Sequence, residues 1–324
     1  MAAPSPKSYH LICTGLALDT VNKHQAPEDI TLFGSCFCPF VQRAWAAMEA
    51  LGVPYKVRNS LFISSCTRLT FTSISFSDEV DPYKKPADLL EVSPKGLVPG
   101  LKLHKYSPPR GLNESTVILE YVEDLAREST GRTLLPKDPC TRLDYRVVSI
   151  LTEVPDARAL VRLQCDHVNR AIVPSFYRFL QAQDPAAQIT AGQEFRKAIE
   201  DLTVLLERAE KDVLGRGGVA GVGEQTALGV GLGLYGGTGQ LSLTDVMVGP
   251  WLFRASNVLK HYRAFEMPEG ERFRTWTTRI FENPAFKATC STEELYLDSY
   301  ERYAQNRPNT SQVANAINSG KPLP

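Results

Sequence analysis

The chain has no excess of either charge: 36 Lys+Arg stand against 36 Asp+Glu in 324 residues, a formal net charge of +0. Without a basic field there is no electrostatic footprint for nucleic acid, and no such partner is expected. No apolar run approaches the roughly 18–20 residues of a membrane helix, so no stable membrane span is expected. Met1 to Lys7 lacks the charged-then-apolar order of a secretory signal. Histidines are few, five in all, and isolated, and no His/Cys cluster has zinc-like spacing. No metal site is expected. The seven cysteines (13, 36, 38, 66, 140, 165, 290) are scattered and odd in number. That argues against a disulfide framework and for a reducing, cytoplasmic setting. Cys36 and Cys38 form C-x-C, not the C-x-x-C of dithiol oxidoreductases.

What is present centres on Phe37-Cys38-Pro39-Phe40. A strand-like run, Ile30-Thr31-Leu32-Phe33, precedes it. Val41, Ala44, Trp45, Met48 and Leu51 follow at the spacing of one buried helix face. Proline suits the first helical position, which puts Cys38 at or near the N-cap. Free amides and the positive end of the helix dipole there favour a negative sulfur, so a lowered thiol pKa is expected. Arg43 adds positive charge one turn on. The alternative is a buried cysteine packed as a small hydrophobe.

The helix is expected to stop at Gly52, with an extended segment over 53–57. Pro86–Glu91 reads as a short helix and Gly96–Leu103 as a turn and strand. Ser115, a plausible N-cap, opens a helix whose apolar face is Val117, Ile118, Tyr121, Val122 and Leu125. The order β-α-β-α-β-β-α predicts a small mixed-sheet domain over 29–127, after an N-terminal extension over 1–28. Leu134–Arg142 reads as a linker. Residues 140–305 then read as all-helical, with stripes at Val168, Ile172, Val173, Phe176 and at Phe195, Ile199, Leu202, Leu205, Leu206. Ser242-x-x-Asp245 has the form of a capping box. Residues 306–324 are polar and predict a flexible tail.

Taken together, Phe37–Arg43, Lys84-Lys85-Pro86, Ser93–Pro99, Glu114-Ser115 and Ser242-x-x-Asp245 resemble the cytosolic glutathione transferases, most closely the omega-like, cysteine-type class of fungi. The resemblance spans roughly residues 10 to 305. It implies an α/β thioredoxin-like N-terminal domain followed by an all-α C-terminal domain, and a homodimer is part of the same expectation. It implies glutathione as co-substrate and Cys38 as the nucleophile that forms a mixed disulfide with it. Phe40 matches an aromatic residue beside the thiol. Lys85 matches a lysine that reaches the glycyl carboxylate. Val98, before the cis-proline matched by Pro99, offers its backbone to the cysteinyl part, and Glu114 and Ser115 hold the γ-glutamyl end. Tyr177 and Trp251 are candidates for the acceptor site between the domains, or equally core residues.

Residues 57–77 interrupt the resemblance, and so, less sharply, do 147–161 and the glycine-rich 215–239. For the first, a retained intron is our reading, since Val57-Arg58 is how a common fungal splice donor reads in frame; transcript reads crossing it without a gap would sink this. The alternative is a genuine surface loop. The expected function is glutathione-dependent thiol transfer to or from a small electrophilic, disulfide or glutathionylated acceptor. Against it stand a non-catalytic hydrophobic-ligand-binding protein of the same fold, a membrane-associating relative of the chloride-channel-like type, and an inactive variant with retained introns.

Overall fold

Ile30–Phe33 (β1) and Lys56–Arg58 (β2) lie parallel at one side of a sheet that Gly100–Leu103 (β3) and Arg110–Asn113 (β4) complete in antiparallel fashion, in the order β2-β1-β3-β4. The computed structural model describes residues 10, 12–58, 85–136, 154–214, 232–237 and 239–324. A parallel pair needs a crossover, and Pro39–Leu51 (α2) supplies it between β1 and β2. Its predicted apolar face is buried in full: Val41, Ala44, Trp45, Met48 and Leu51. Gly52 ends it at φ +68, a left-handed cap with the N–H on the Met48 carbonyl at 2.9 Å. Ala87–Val92 (α3) covers β3 and β4, and Ser115–Ser129 (α4) packs on α2.

The apolar face of α4 is turned from the predicted one. Ile118, Leu119, Val122 and Ala126 are buried, whereas Val117 is 48% exposed. The cap is also displaced by one residue: Glu114 takes the N-cap position and Ser115 is the first helical residue.

The C-terminal part is helical. Val154–His167 (α5) continues through a π-helical turn, Val168–Ile172, into Val173–Gln181 (α6), and Pro185–Leu214 (α7) follows. Leu243–Arg254 (α8) runs through the middle and passes into a second π-helical turn, Ala255–Leu259, and then Lys260–Arg263 (α9). Glu271–Glu282 (α10), Pro284–Lys287 (α11) and Glu293–Ala304 (α12) complete the bundle. The first predicted stripe is core, with Val168, Ile172, Val173 and Phe176 fully buried; in the second Phe195, Ile199, Leu202 and Leu206 are buried and Leu205 is half-buried. This is the two-part architecture the sequence predicts, a thioredoxin-like sheet domain followed by helices.

The capping box at the start of α8 forms. Ser242 Oγ accepts from the Asp245 N–H at 3.2 Å, and Asp245 Oδ2 accepts from the Ser242 N–H at 2.8 Å. Asp245 further accepts from Leu234 N–H at 3.0 Å and Trp276 Nε1–H at 2.7 Å. Burial pushes its carboxyl up despite these donors.

The structure differs from expectation at the chain's ends and its linker. Residues 306–324, expected as a flexible tail, include the helix Gln312–Asn318 (α13). Ser311 Oγ caps it, Ala314 is buried against α6, and Gln181 Nε2 donates to Ala314 and Asn318. A polar composition masked one apolar contact and a sound cap. At the other end, Gly15–Lys23 (α1) packs Ala17 and Val21 into the core. Its Thr20 Oγ1 donates to Ala288 O at 2.8 Å, so the extension is tied to the helical part. In the linker, Leu134 and Leu135 are buried, with Leu134 N–H on Glu123 Oε2 at 2.8 Å.

Of the interruption at 57–77, Val57 and Arg58 belong to β2, opposite Leu32 and Phe33, and the remainder lies outside the described residues. So does Lys84. Within 147–161, residues 147–153 lie outside, while Ala157 and Val161 are fully buried in α5. Within 215–239, residues 215–231 and 238 lie outside, while Leu232, Leu234 and Tyr235 are core.

Candidate active site

Cys38 is the N-cap of α2, with Pro39 first in the helix and no side-chain hydrogen bond capping it. The Val98 carbonyl oxygen lies 4.0 Å from its sulfur. Val98-Pro99 is a cis peptide, placed where β3 begins. Val98 itself packs on Phe33, Leu89 and Val92. In register, Gly100 lies opposite Asn113. That pairing brings Glu114 and Ser115, next along the chain, beside Pro99. Glu114 is exposed and sits at φ +70, a left-handed backbone that a residue with a Cβ adopts at some cost. Ser115 is buried.

Lys85 lies along the same loop from the outside. Its chain crosses Gly96, where a Cβ would come within 2.1 Å of Lys85 Cδ, and its ammonium donates to the Lys95 carbonyl. The backbone there, at φ +62, favours glycine. Gln312 of α13 donates to the same carbonyl at 3.4 Å. The 93–99 loop is thus held by Lys85 on one side and by the C-terminal helix on the other.

On the helical side, Phe40 meets Trp251 edge-to-face with centroids 5.0 Å apart. Trp251 is fully buried, and Arg43 lies over its ring at 4.1 Å. Tyr177 is buried too, against Phe176 and Tyr303. Of the two acceptor-site candidates, neither presents an open face: both are wall and core.

The thiol's acidity runs against the sequence expectation. Burial pushes the Cys38 thiol up, ahead of the opposite pull of the Val41 and Phe40 N–H groups and of Arg254 and Arg43. The side chain keeps part of its surface, with Tyr177, Tyr300 and Tyr303 near enough for its charge to act on them. Dipole and cation oppose desolvation here without overcoming it. Cys36 turns the other way, its thiol donating to the His10 carbonyl at 3.5 Å.

Sequence reasoning missed Arg254. Its guanidinium is buried, with Nη1 on Gln42 Oε1 at 2.6 Å and Nη2 on the Phe37 carbonyl at 2.8 Å. One signal was available: a single charge closing an otherwise apolar run from Val246 to Phe253.

The chain's relatives fit this arrangement. Residues 37–125 match the family described as glutathione S-transferase, N-terminal domain. Pyrimidodiazepine synthase of Drosophila melanogaster is 25% identical over 289 residues, covering 87% of this chain and 90% of that protein. Glutathione S-transferase omega-1 of Sus scrofa is 21% identical over 280 residues, covering 86% and 88%. The crystal structure of glutathione transferase Omega 3C from Trametes versicolor superposes with a TM-score of 0.61 at 29% identity, over 91% of this chain and 98% of that one. The chain belongs to the cytosolic glutathione transferase superfamily. Within that superfamily it is omega-like. Among the described residues, no helix is long and apolar enough to cross a membrane.

Proposed function

We propose that the protein is a glutathione-dependent thiol transferase that works through a Cys38–glutathione mixed disulfide. The observation that carries this reading is a cysteine, not a tyrosine or serine, at the N-cap of α2, 4.0 Å from the carbonyl before a cis-proline. Glutathione is the co-substrate. Val98 offers its backbone to the cysteinyl part of the peptide. Glu114 pairs with the γ-glutamyl ammonium, and the open amides that begin α4 at Ser115 receive its carboxylate. Lys85, released from the Lys95 carbonyl, reaches the glycyl carboxylate. Phe40 lines the thiol, and Tyr177 and Trp251 support the acceptor side from beneath.

In the forward cycle the Cys38 thiolate attacks the glutathione sulfur of a glutathionylated acceptor. A Cys38–glutathione disulfide forms, and the acceptor leaves as a thiolate that takes up a proton. A second glutathione thiolate then attacks that disulfide at the glutathione sulfur. Cys38 departs as a thiolate and oxidised glutathione carries away the two electrons' worth of oxidation. The enzyme acts in the cytoplasm as a homodimer on small disulfide, electrophilic or glutathionylated acceptors.

One observation favours the non-catalytic binding protein instead: burial pushes the Cys38 thiol up. A single experiment separates the two. Hydroxyethyl-disulfide reduction with glutathione is measured on the full chain and on Cys38→Ser, with mass spectrometry of Cys38 after exposure to oxidised glutathione. Activity that disappears with Cys38→Ser, together with a glutathione adduct on Cys38 that fresh glutathione removes, is expected. Full activity in Cys38→Ser, or no adduct, overturns the reading.

A further inference from the structure

Two arginines lie fully inside the protein next to Cys38, and neither has a carboxylate in its hydrogen-bond set among the described residues. Arg43 donates from Nε to Met247 O at 2.9 Å and from Nη1 to Asn169 Oδ1 at 2.9 Å. Arg254 donates from Nη1 to Gln42 Oε1 and to Pro250 O at 2.9 Å, and from Nη2 to Phe37 O. All of these acceptors are neutral. Among the described residues, Arg43 Nη2 and Arg254 Nε are buried with no hydrogen-bond acceptor. A buried guanidinium balanced only by neutral oxygens costs free energy unless a negative group comes to face it. Arg254 is also stacked on Tyr296, with its Cζ 4.7 Å from the ring centroid.

The same two residues are tied to both π-helical turns of the bundle. Asn169 sits in the first, and Arg254 immediately precedes the second. Such turns are rare in α-helices and concentrate at functional sites. Here the first holds the acceptor of Arg43, and the second follows the arginine that donates to the Phe37 carbonyl. The ionisable groups facing Cys38 are Arg43 from α2, Arg254 from α8, Tyr177 from α6, and Tyr300 and Tyr303 from α12. Burial pushes all three tyrosines up, so they are neutral near pH 7. Burial also draws Arg43 down to about 9, which still leaves it charged there. The site therefore holds two positive charges with three thiols beside them: burial pushes Cys165, next to Arg43, up to about 12 and Cys290, next to Arg254, up to about 11, and Cys38 is the one of the three at the N-cap of α2.

We propose that Arg254 is a positioning residue for the Cys38 nucleophile: it anchors the Phe37 carbonyl ahead of α2 and, with Arg43, supplies the buried positive charge that a Cys38 thiolate balances. The inference deepens the thiol-transferase reading and rests on Cys38 being its nucleophile. Neutralising either cation leaves desolvation less opposed, so the thiol should become harder to ionise.

The test is the rate of Cys38 alkylation by iodoacetamide across pH 5–10, read at the Cys38 peptide by mass spectrometry because the chain has seven cysteines. Arg254→Met should slow Cys38 alkylation at pH 7 about tenfold, the equivalent of one pKa unit. Gln42→Glu keeps the arginine but places a carboxylate where the amide oxygen now accepts from it at 2.6 Å. It should slow alkylation in the same direction, and it decides the matter if Arg254→Met does not fold. Arg254→Lys, which keeps the charge and loses the planar fork, should stay within about twofold of wild type in alkylation while turnover falls. A wild-type alkylation profile in folded Arg254→Met, or in Gln42→Glu, overturns the inference. Alkylation needs no glutathione, so it is read whether or not the Cys38–glutathione adduct forms. An adduct with unshifted profiles sinks this inference alone; shifted profiles with no adduct sink the transferase reading.

Discussion

Helices α2 and α8 meet across the core, yet they begin in opposite ways. The start of α8 is saturated: Ser242 and Asp245 cap each other's amides, and Asp245 also takes Leu234 N–H and Trp276 Nε1–H. The start of α2 is left open, with Cys38 at the N-cap and no side-chain hydrogen bond to the first amides. Four orphan amides begin every helix and need partners. Where a side chain supplies them, the helix end contributes stability. Where none does, it keeps a positive, donor-rich spot for an anion that arrives later. The contrast separates Ser242, which holds the fold, from Cys38, which we propose performs chemistry, although both occupy the same position in a helix.

Mutation should pull these roles apart. The largest effect is expected at Asp245→Ala, which strands several buried donors and should lower the unfolding free energy by about 4 kcal/mol, at roughly 1–3 per unsatisfied group. Urea denaturation measures it, and a loss below about 1 kcal/mol would break the contrast. Cys38→Ser should instead cut hydroxyethyl-disulfide reduction at least about 100-fold, near 2.7 kcal/mol in activation free energy, with unfolding unchanged within about 0.5 kcal/mol. If that substitution destabilises as Asp245→Ala does, α2 has a structural cap after all. Ser242→Ala removes one cap bond and should cost about 1 kcal/mol, read from the same denaturation curves.

The smallest effect is expected away from both helix starts. His24 Nε2 meets Glu49 Oε1 at 3.0 Å, and Tyr55 Oη donates to the same oxygen at 2.5 Å. The Glu49 hydrogen bond holds the His24 imidazole above its ordinary 6.5. Burial pushes Glu49 up, but bonds from His24 and Tyr55 together hold it below 4.5. The histidine's contribution is therefore complete below about pH 6.5 and is lost as pH rises through its raised value. The carboxylate's contribution is present above about pH 4.5 and is lost as pH falls through its lowered value. For a partly exposed pair about 0.5 kcal/mol is at stake. His24→Gln should flatten the upper limb of the stability–pH curve and leave Cys38 alkylation alone.

What could be read in the sequence was local. Cys38-Pro39, the α2 stripe, Gly52 and the Ser242–Asp245 box each depend on neighbours within one or two turns, and each has the predicted geometry. What could not be read depends on distance along the chain. Arg254 finds Phe37 and Gln42 more than two hundred positions away, so its burial leaves no local pattern. The thiol's acidity failed for the same reason, since the tyrosines near it come from α6 and α12. The tail was misjudged because composition carries no information about one alanine fitting against α6. The α4 cap slipped by one because an exposed glutamate at φ +70 obeys no propensity rule.

The anchoring of α1 also sets an order of events. Ala17 N–H bonds Cys290 O at 3.1 Å, Thr20 bonds Ala288, and Thr14 meets Ser291 and Thr292. Helix α1 thus has these partners only after residue 292 has been made. Loops this long close late and slowly. During synthesis α1 can bond the sheet domain early, through His24 and Val57, while its bonds to 288–292 wait for the helical part to be made.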